Sequence, residues 1–486
     1  MDFMPEQPNA TPEAKPTPEP EPAPVVREHT GTFGGQTIRY RTTTGRMEIK
    51  NAKGETEGRI FYIAYEKLDV EEGERRPLMF SFNGGPGSAS VWLHFGALGP
   101  KRVRMEDEGH LPPAPYELVD NPASWLEHTD LVFIDPVGTG YSRPETPELG
   151  EKFWGIQGDI ESIGEFIRLF LTKFERWSSP LFLVGESYGT TRAAGLAGYL
   201  VDRGIAFNGI LLVSSILNFQ TARFNIGNDL PYILFLPTYA ATAWYHGKVD
   251  RKRYPDLRAF LDEVGQWANS EYVAALALGD QLPAKRRSAL IARMAAYTGL
   301  SKDYLDRADC RIEIMGFCKE LMRKERRTVG RLDTRFLGID LRQNADKFEH
   351  DPSMTAIRPP YTAMANDYYR RTLGYQTDMP YHILGEGIEK PWNWGSAGEG
   401  HPDTSEALRR AMSRNPHMKV FVASGFYDLA TPFFATEYTI AHMGLDPEIR
   451  GNIQTAEYEA GHMMYIAVRE LDKLAGDAAS FIRASL

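Results

Sequence analysis

The pentapeptide Gly185-Glu186-Ser187-Tyr188-Gly189 sets a serine between two glycines, after the apolar run Leu181–Val184 and before a helix-forming stretch. A G-x-S-x-G turn from strand to helix thrusts its hydroxyl clear of a sheet, and the small residues at its ends permit the sharp bend. The helix that follows directs unpaired N–H groups and a positive dipole end at the same point, where charge on an oxyanion would develop. A serine so placed can attack a carbonyl, given a base to take its proton.

That base and its orienting acid stand later in the chain. Val420–Asp428 reads as a strand running into a loop that ends in an acid, and Ala460-Gly461-His462-Met463 follows another strand-like stretch, Asn452–Tyr458. The order Ser187, Asp428, His462 is the one a nucleophile-elbow hydrolase requires. His462 would take the serine proton, Asp428 would fix the imidazole tautomer, and water would release the acyl-enzyme. Such enzymes draw a second oxyanion donor from a glycine-rich loop after an earlier strand. Phe82-Asn83-Gly84-Gly85-Pro86-Gly87-Ser88 follows the run Leu78–Phe82 and fits that position, with the N–H of Tyr188 as the other donor. No zinc-type Cys/His spacing, H-E-x-x-H or P-loop occurs, so no metal or organic cofactor is expected.

These residues need a sheet to hold them. Short, almost wholly apolar runs recur at Leu78–Phe82, Leu131–Ile134, Leu181–Val184, Ile210–Val213 and Val420–Val422, most of them separated by helical patterns such as Ile160–Phe174 and Thr190–Val201. Buried strands alternating with helices predict a mixed, mostly parallel sheet covered by helices, the α/β-hydrolase fold. Before them, Gly31–Leu68 alternates apolar and polar residues and turns at Asn51-Ala52-Lys53-Gly54, which predicts an antiparallel meander. The gap from Leu217 to about Met418 is too long for one crossover. Charged helical stretches (Tyr254–Ala268, Ala284–Tyr297, Ile312–Arg327) and an aromatic, irregular stretch from Tyr361 to Trp394 predict an inserted, largely helical cap domain. The expected division is a disordered Pro/Glu-rich tail over 1–28, a catalytic core over 29–217 and 416–486, and a cap over 218–415.

Composition excludes several other classes. The 486 residues are 42% hydrophobic and 25% charged, an ordinary globular balance. A net charge of -10 offers no basic footprint for nucleic acid. No run of eighteen apolar residues exists, so no membrane insertion is expected; the most apolar window, Tyr232–Tyr245, is cut by Pro237 and reads as a buried helix or site wall. No basic segment leading into an apolar one marks an export signal, and the compartment stays open: secreted or periplasmic if a leader was removed. Cys310 and Cys318, the only cysteines, would lie about 12 Å apart on one helix and are expected to be unpaired.

Taken together, the segments resemble the serine carboxypeptidase family, peptidase family S10. The likeness runs through Asn83–Ser88, Asn121-Pro122-Ala123-Ser124-Trp125, Asp135–Ser142, Gly185–Gly189 and Gly461-His462-Met463, and more loosely through Val329–Phe336, which is similar to the cap of bacterial members. It covers roughly Pro77–Leu217 and Lys419–Tyr465. The resemblance implies an enzyme that releases C-terminal residues from peptides with a free C-terminus. It implies Ser187, Asp428 and His462 as the triad, the N–H groups of Gly85 and Tyr188 as the oxyanion hole, and Asn83, Gly84, Glu186 and Met463 as substrate-binding residues. Protonated, Glu186 donates a hydrogen bond to a carboxylate; ionised, it repels one, which would favour acidic pH. Three departures stand out: the family tryptophan two residues before the asparagine is Ser81, its second glutamate aligns with Ala97, and Phe426 replaces a common acid. His94, about one helical turn from Ala97, and Arg192, a little over one turn past Ser187, read as structural residues. Because Ser81 and Ala97 touch carboxylate recognition, the alternative is an esterase, an acyltransferase or a peptidase not restricted to C-termini on the same triad. A different class, a catalytically silent binding protein, also fits the fold. Oligomeric state is not legible.

Overall fold

The computed structural model describes residues 21–71, 73–395 and 401–486. A hairpin of β1 (Val25–Phe33) and β2 (Gln36–Lys50) turns at Gly34-Gly35, both at positive φ (52° and 81°), where any side chain would be strained. Strand β3 (Thr56–Lys67) pairs antiparallel with β2. Then come β4 (Leu78–Phe82), β5 (Asp130–Ile134), β6 (Leu181–Glu186), β7 (Gly209–Val213), β8 (Lys419–Gly425) and β9 (Ile453–Tyr458). Their order across the sheet is β1-β2-β3-β5-β4-β6-β7-β8-β9, with the two-residue strand Arg143–Pro144 also paired to β3. From β5 to β9 every pairing is parallel. This is the α/β-hydrolase arrangement.

Both faces of that sheet are buried, which is why its strands read as continuous apolar runs. Met79, Phe182, Leu211 and Phe421 point into one core, with Phe481 among their neighbours. Phe80, Leu183, Leu212 and Val422 point into the other, against Ile163, Leu196 and Leu408. Each such side chain contributes roughly 1.5–3 kcal/mol by leaving water. The second core is closed by α1 (Ile156–Lys173) and α2 (Tyr188–Val201).

Between β7 and β8 the chain is mostly helical, with α3 (Leu230–Tyr245), α4 (Leu257–Trp267), α5 (Ala284–Thr298), α6 (Pro352–Asp367) and α7 (Ser405–Arg414). Helix α8 (Phe433–Ala441) follows β8, and α9 (Val468–Ala484) closes the chain over the first core. No helix among the described residues is long and apolar enough to cross a membrane.

The structure corrects several expectations. The tail expected over 1–28 ends earlier: β1 already begins at Val25, and Glu21 pairs with Arg46 and Arg59 on β2 and β3. The cross-strand partners, not the local composition, order those residues; residues 1–20 lie outside the described ones. Pro237 does not cut α3, which runs through it, fully buried. The stretch from Tyr361 is not irregular at its start, because α6 continues through Pro359 and Pro360 to Asp367. Proline removes helix hydrogen bonds there, yet Ile357, Tyr361 and Ala365 are buried in the first core and Tyr361 packs on Trp92 at 5.2 Å. The helix expected over Ile312–Arg327 spans only Ile314–Glu320, before turns in which Arg326 takes a φ of 57°. Cys318 sits on that helix and Cys310 in a preceding turn at φ 59°, so they share no helix; both are free and buried.

Candidate active site

Ser187 stands between β6 and α2 with φ 59° and ψ -129°, a conformation L-residues rarely hold. It is held there by tight backbone contacts. A Cβ on Gly185 would lie 2.2 Å from the carbonyl oxygen of Gly189, and one on Gly189 would lie 2.9 Å from that of Phe82. The glycine loop after β4 lies directly against this elbow: a Cβ on Gly84 would fall 2.4 Å from the Tyr188 nitrogen. Gly85 takes a φ of 102°, which a side chain would resist. The loop is tied down by Arg192, whose guanidinium donates to the Asn83 carbonyl at 2.6 Å and to Asp159 at 2.8 Å, all buried. Arg192 is thus structural. The Tyr188 ring points away from the site and packs on Trp392 and Trp394.

His462 and Asp428 come from the loops after β9 and β8. Asp428 Oδ2 accepts from His462 Nδ1 at 2.7 Å, which assigns the Nδ1 proton and leaves Nε2 as the basic nitrogen. The carboxylate is fully buried, and the Thr431 hydroxyl and the N–H groups of Ala430 and Thr431 also donate to it. The His462 backbone is clamped between Leu332, whose carbonyl accepts its N–H at 2.7 Å, and Ser214, whose hydroxyl donates to its carbonyl at 2.6 Å. Burial disfavours protonation of the imidazole. Asp428 outweighs that, with a smaller push from Glu186, and the His462 pKa is raised above its ordinary value.

Glu186 lies beside the nucleophile and is 3% exposed. Burial pushes its carboxyl up to about 7, against the opposing charge of His462 and a hydrogen bond donated by the Tyr465 hydroxyl to Oε2. Asn83 faces the same space. Its Oδ1 accepts from the Leu93 N–H at 3.0 Å, and its Nδ2 is buried without a hydrogen-bond partner among the described residues. Asn83, Gly84, Gly85, Glu186, Ser187, His462 and Met463 all line one cavity of about 140 Å³. Trp92, Arg331, Leu332, Met354, Ile357 and Leu384 complete much of its wall, five of them from the segment between β7 and β8. An apolar crevice of about 10 Å³ near α8 contains no nucleophile–base pair, which leaves the cavity at Ser187 as the candidate site.

Most residues singled out by sequence converge here. Asp428 sits behind His462 rather than in the wall, and Tyr188 contributes backbone only. His94 is buried, stacked on Phe95 and Phe133 at 4.1 Å and bonded to the Tyr65 hydroxyl at 2.7 Å, so it is a core residue. At the two departures, the Ser81 hydroxyl is buried without a partner among the described residues, and Ala97 is fully buried, following Gly96, where a Cβ would lie 2.3 Å from the Tyr465 ring. Sequence reasoning missed Tyr465, Thr431, Trp92 and Arg331. Thr431, three residues past Asp428, Tyr465, three past His462, and Trp92, four past Ser88, each had a local cue; Arg331 meets the site from far along the chain.

The family model for serine carboxypeptidases (Peptidase S10) matches residues 34–476. Among curated proteins, serine carboxypeptidase-like 36 of Arabidopsis thaliana is 30% identical over 167 residues, covering 33% of this chain and 32% of the relative. The pheromone-processing carboxypeptidase KEX1 of Verticillium alfalfae is 28% identical over 152 residues, covering 30% of this chain and 21% of the relative. The chain thus spans about a third or less of the length of these relatives. Among solved structures, KEX1(delta)p, a prohormone-processing carboxypeptidase from Saccharomyces cerevisiae, superposes with a TM-score of 0.55 over 91% of each chain at 15% identity, a likeness of fold.

Proposed function

The chain belongs to the serine carboxypeptidase family, and from that premise we propose that it hydrolyses the last peptide bond of peptides with a free C-terminus, through an acyl-enzyme on Ser187. Ser187 Oγ attacks the scissile carbonyl while His462 Nε2 takes its proton, and Asp428 stabilises the imidazolium. The N–H groups of Gly85 and Tyr188 receive the oxyanion, each worth about 3 kcal/mol of transition-state stabilisation. His462 then passes its proton to the departing amine. Water repeats the sequence and frees the acyl group. Residues 218–415 act as the cap over this cavity.

The observation that carries the reading is the juxtaposition of a buried carboxyl, Glu186, and an unpartnered amide, Asn83 Nδ2, in the cavity that holds Ser187 and His462. With its pKa near 7, Glu186 keeps its proton at mildly acidic pH and can donate to a terminal carboxylate beside Asn83 and the Gly84 backbone. On this reading the expected preference for free-acid substrates is strongest on the acid side of neutrality.

The test is hydrolysis of N-blocked dipeptides as free acid and as amide between about pH 4 and 8, with Ser187→Ala as control. Release from the free acid alone, strongest below pH 7 and reduced at least about 10⁴-fold in the variant, is expected. Equal cleavage of acid and amide, or cleavage of esters only, would replace this reading with a broader serine hydrolase, as Ser81 and Ala97 allow.

A further inference from the structure

Three ionisable side chains face the substrate cavity: Glu186, His462 and Arg331. The first two have partners, Tyr465 for Glu186 and Asp428 for His462. Arg331 is different. It is only partly buried, and its guanidinium makes no salt bridge or hydrogen bond among the described residues.

Its backbone does the structural work: the N–H of Arg331 donates to Asp351 at 3.1 Å and its carbonyl accepts from Leu429 at 3.0 Å. The acids at 333 and 351 are engaged by other donors. Asp333 is bonded to Arg335 and to the Gly461 N–H, and Asp351 receives the N–H groups of Arg331, Leu332 and Ser353. Arg331 therefore presents to a partly desolvated cleft a guanidinium with no direct carboxylate partner among the described residues, and a charge-assisted hydrogen bond to a substrate carboxylate is worth more there than in water.

The strand order fixes which side of the scissile bond that charge serves. Asn83 follows β4, Ser187 follows β6, and Ala430, which also lines the cavity, follows β8; in the sheet β6 lies between β4 and β8. Arg331 is bonded to the residue before Ala430, so it stands on the β8 side of the nucleophile. A peptide whose terminal carboxylate rests at Asn83 and Glu186 runs past Ser187 towards Arg331 with its acyl portion.

We propose that Arg331 recognises an acidic side chain on the residue preceding the scissile bond, so that the enzyme favours peptides with Glu or Asp in the penultimate position. This rests on the carboxypeptidase reading above and adds a substrate class to it. Of the two acids, Glu has the longer reach and is the better probe.

The test compares N-blocked dipeptides that differ only in Glu or Gln at the penultimate position, at pH 5.5 and low salt. In the wild type the Glu peptide is expected to show about 10- to 100-fold higher kcat/KM, the range of a charge-assisted hydrogen bond. That ratio should shrink with added salt and collapse towards one below about pH 4, where the substrate carboxyl protonates. Arg331→Gln should bring the ratio close to one, and Arg331→Lys should retain part of it. A wild-type ratio at or below one overturns the proposal without any variant. So does an Arg331→Gln enzyme that loses both substrates in equal proportion, the mark of a structural role. Cleavage of the Gln peptide confirms the underlying carboxypeptidase reading independently; cleavage of neither peptide removes that premise and the proposal with it.

Discussion

At the scale of single residues, the proposed carboxypeptidase makes the carboxyl of Glu186 a test of how the site responds to pH. It is faced by His462, Asp428, Asn83 and Tyr465, with Tyr361 close by, and burial raises its pKa to about 7. Below that value it can donate to a substrate carboxylate; above it, like charges repel. KM for a free-acid peptide should therefore climb as pH passes 7, and Glu186→Gln, which keeps a donor but cannot ionise, should flatten that rise. Tyr465→Phe removes a bond to the ionised form and should move the same limb to higher pH. Stability supplies a readout free of substrate. A raised folded pKa means Glu186 costs nothing below its unfolded pKa near 4.5, and the loss grows as pH rises through 7, reaching roughly 3 kcal/mol at most. The melting temperature of Glu186→Gln relative to wild type should thus increase between pH 5.5 and 8.5; a constant difference would mean that Glu186 does not titrate there. Tyr465 could not be read from sequence. It lies three residues past His462, but its bond is to Glu186, 279 positions away, and no spacing in the sequence announces that partner.

At the scale of elements, the site depends on how closely two turns approach each other. The loop after β4 and the elbow after β6 touch through backbone alone at Gly84, which is why glycines cluster there. Gly84→Ala forces a Cβ to within 2.4 Å of the Tyr188 nitrogen, and that nitrogen is the proposed oxyanion donor. The loop must retreat, so kcat is expected to fall about 10²- to 10³-fold, while circular dichroism and the melting profile keep their native form. An unchanged kcat would mean that the oxyanion is held elsewhere. These turns were legible because their chemistry is local: a strand, a glycine and a serine at fixed spacing. The parallel strands were legible for a related reason, since Leu78–Phe82 and Leu181–Val184 are buried on both faces and read as unbroken apolar runs. Elements fixed by distant partners were not. Val25–Glu28 reads as the end of a tail until β2 pairs with it, and the stretch from Tyr361 reads as irregular until Tyr361 meets Trp92.

At the scale of the molecule, the inserted helices and the catalytic loops are built as one unit. The core formed by α3, α4 and α5 includes Phe426, Tyr427, Leu429 and Phe433, which belong to the loop and helix after β8. The segment 331–335 is bonded at Arg331 to Leu429, at Leu332 to His462 and at Thr334 to Tyr427. Asp333 adds a bond to the Gly461 N–H, and its partner Arg335, 6% exposed, reaches the Glu459 carbonyl. The helical region therefore cannot lose its packing without releasing the loop that carries Asp428 and the one that carries His462. Calorimetry of the full chain should show one endotherm, with esterase or peptidase activity lost over the same temperature range. Arg335→Ala would leave the Asp333 carboxylate buried and uncompensated, a loss of about 3–5 kcal/mol. Because both regions share that pair, the whole transition should move down together. A separate low-temperature endotherm, with activity surviving it, would mean that the helices fold over the site without helping to hold it.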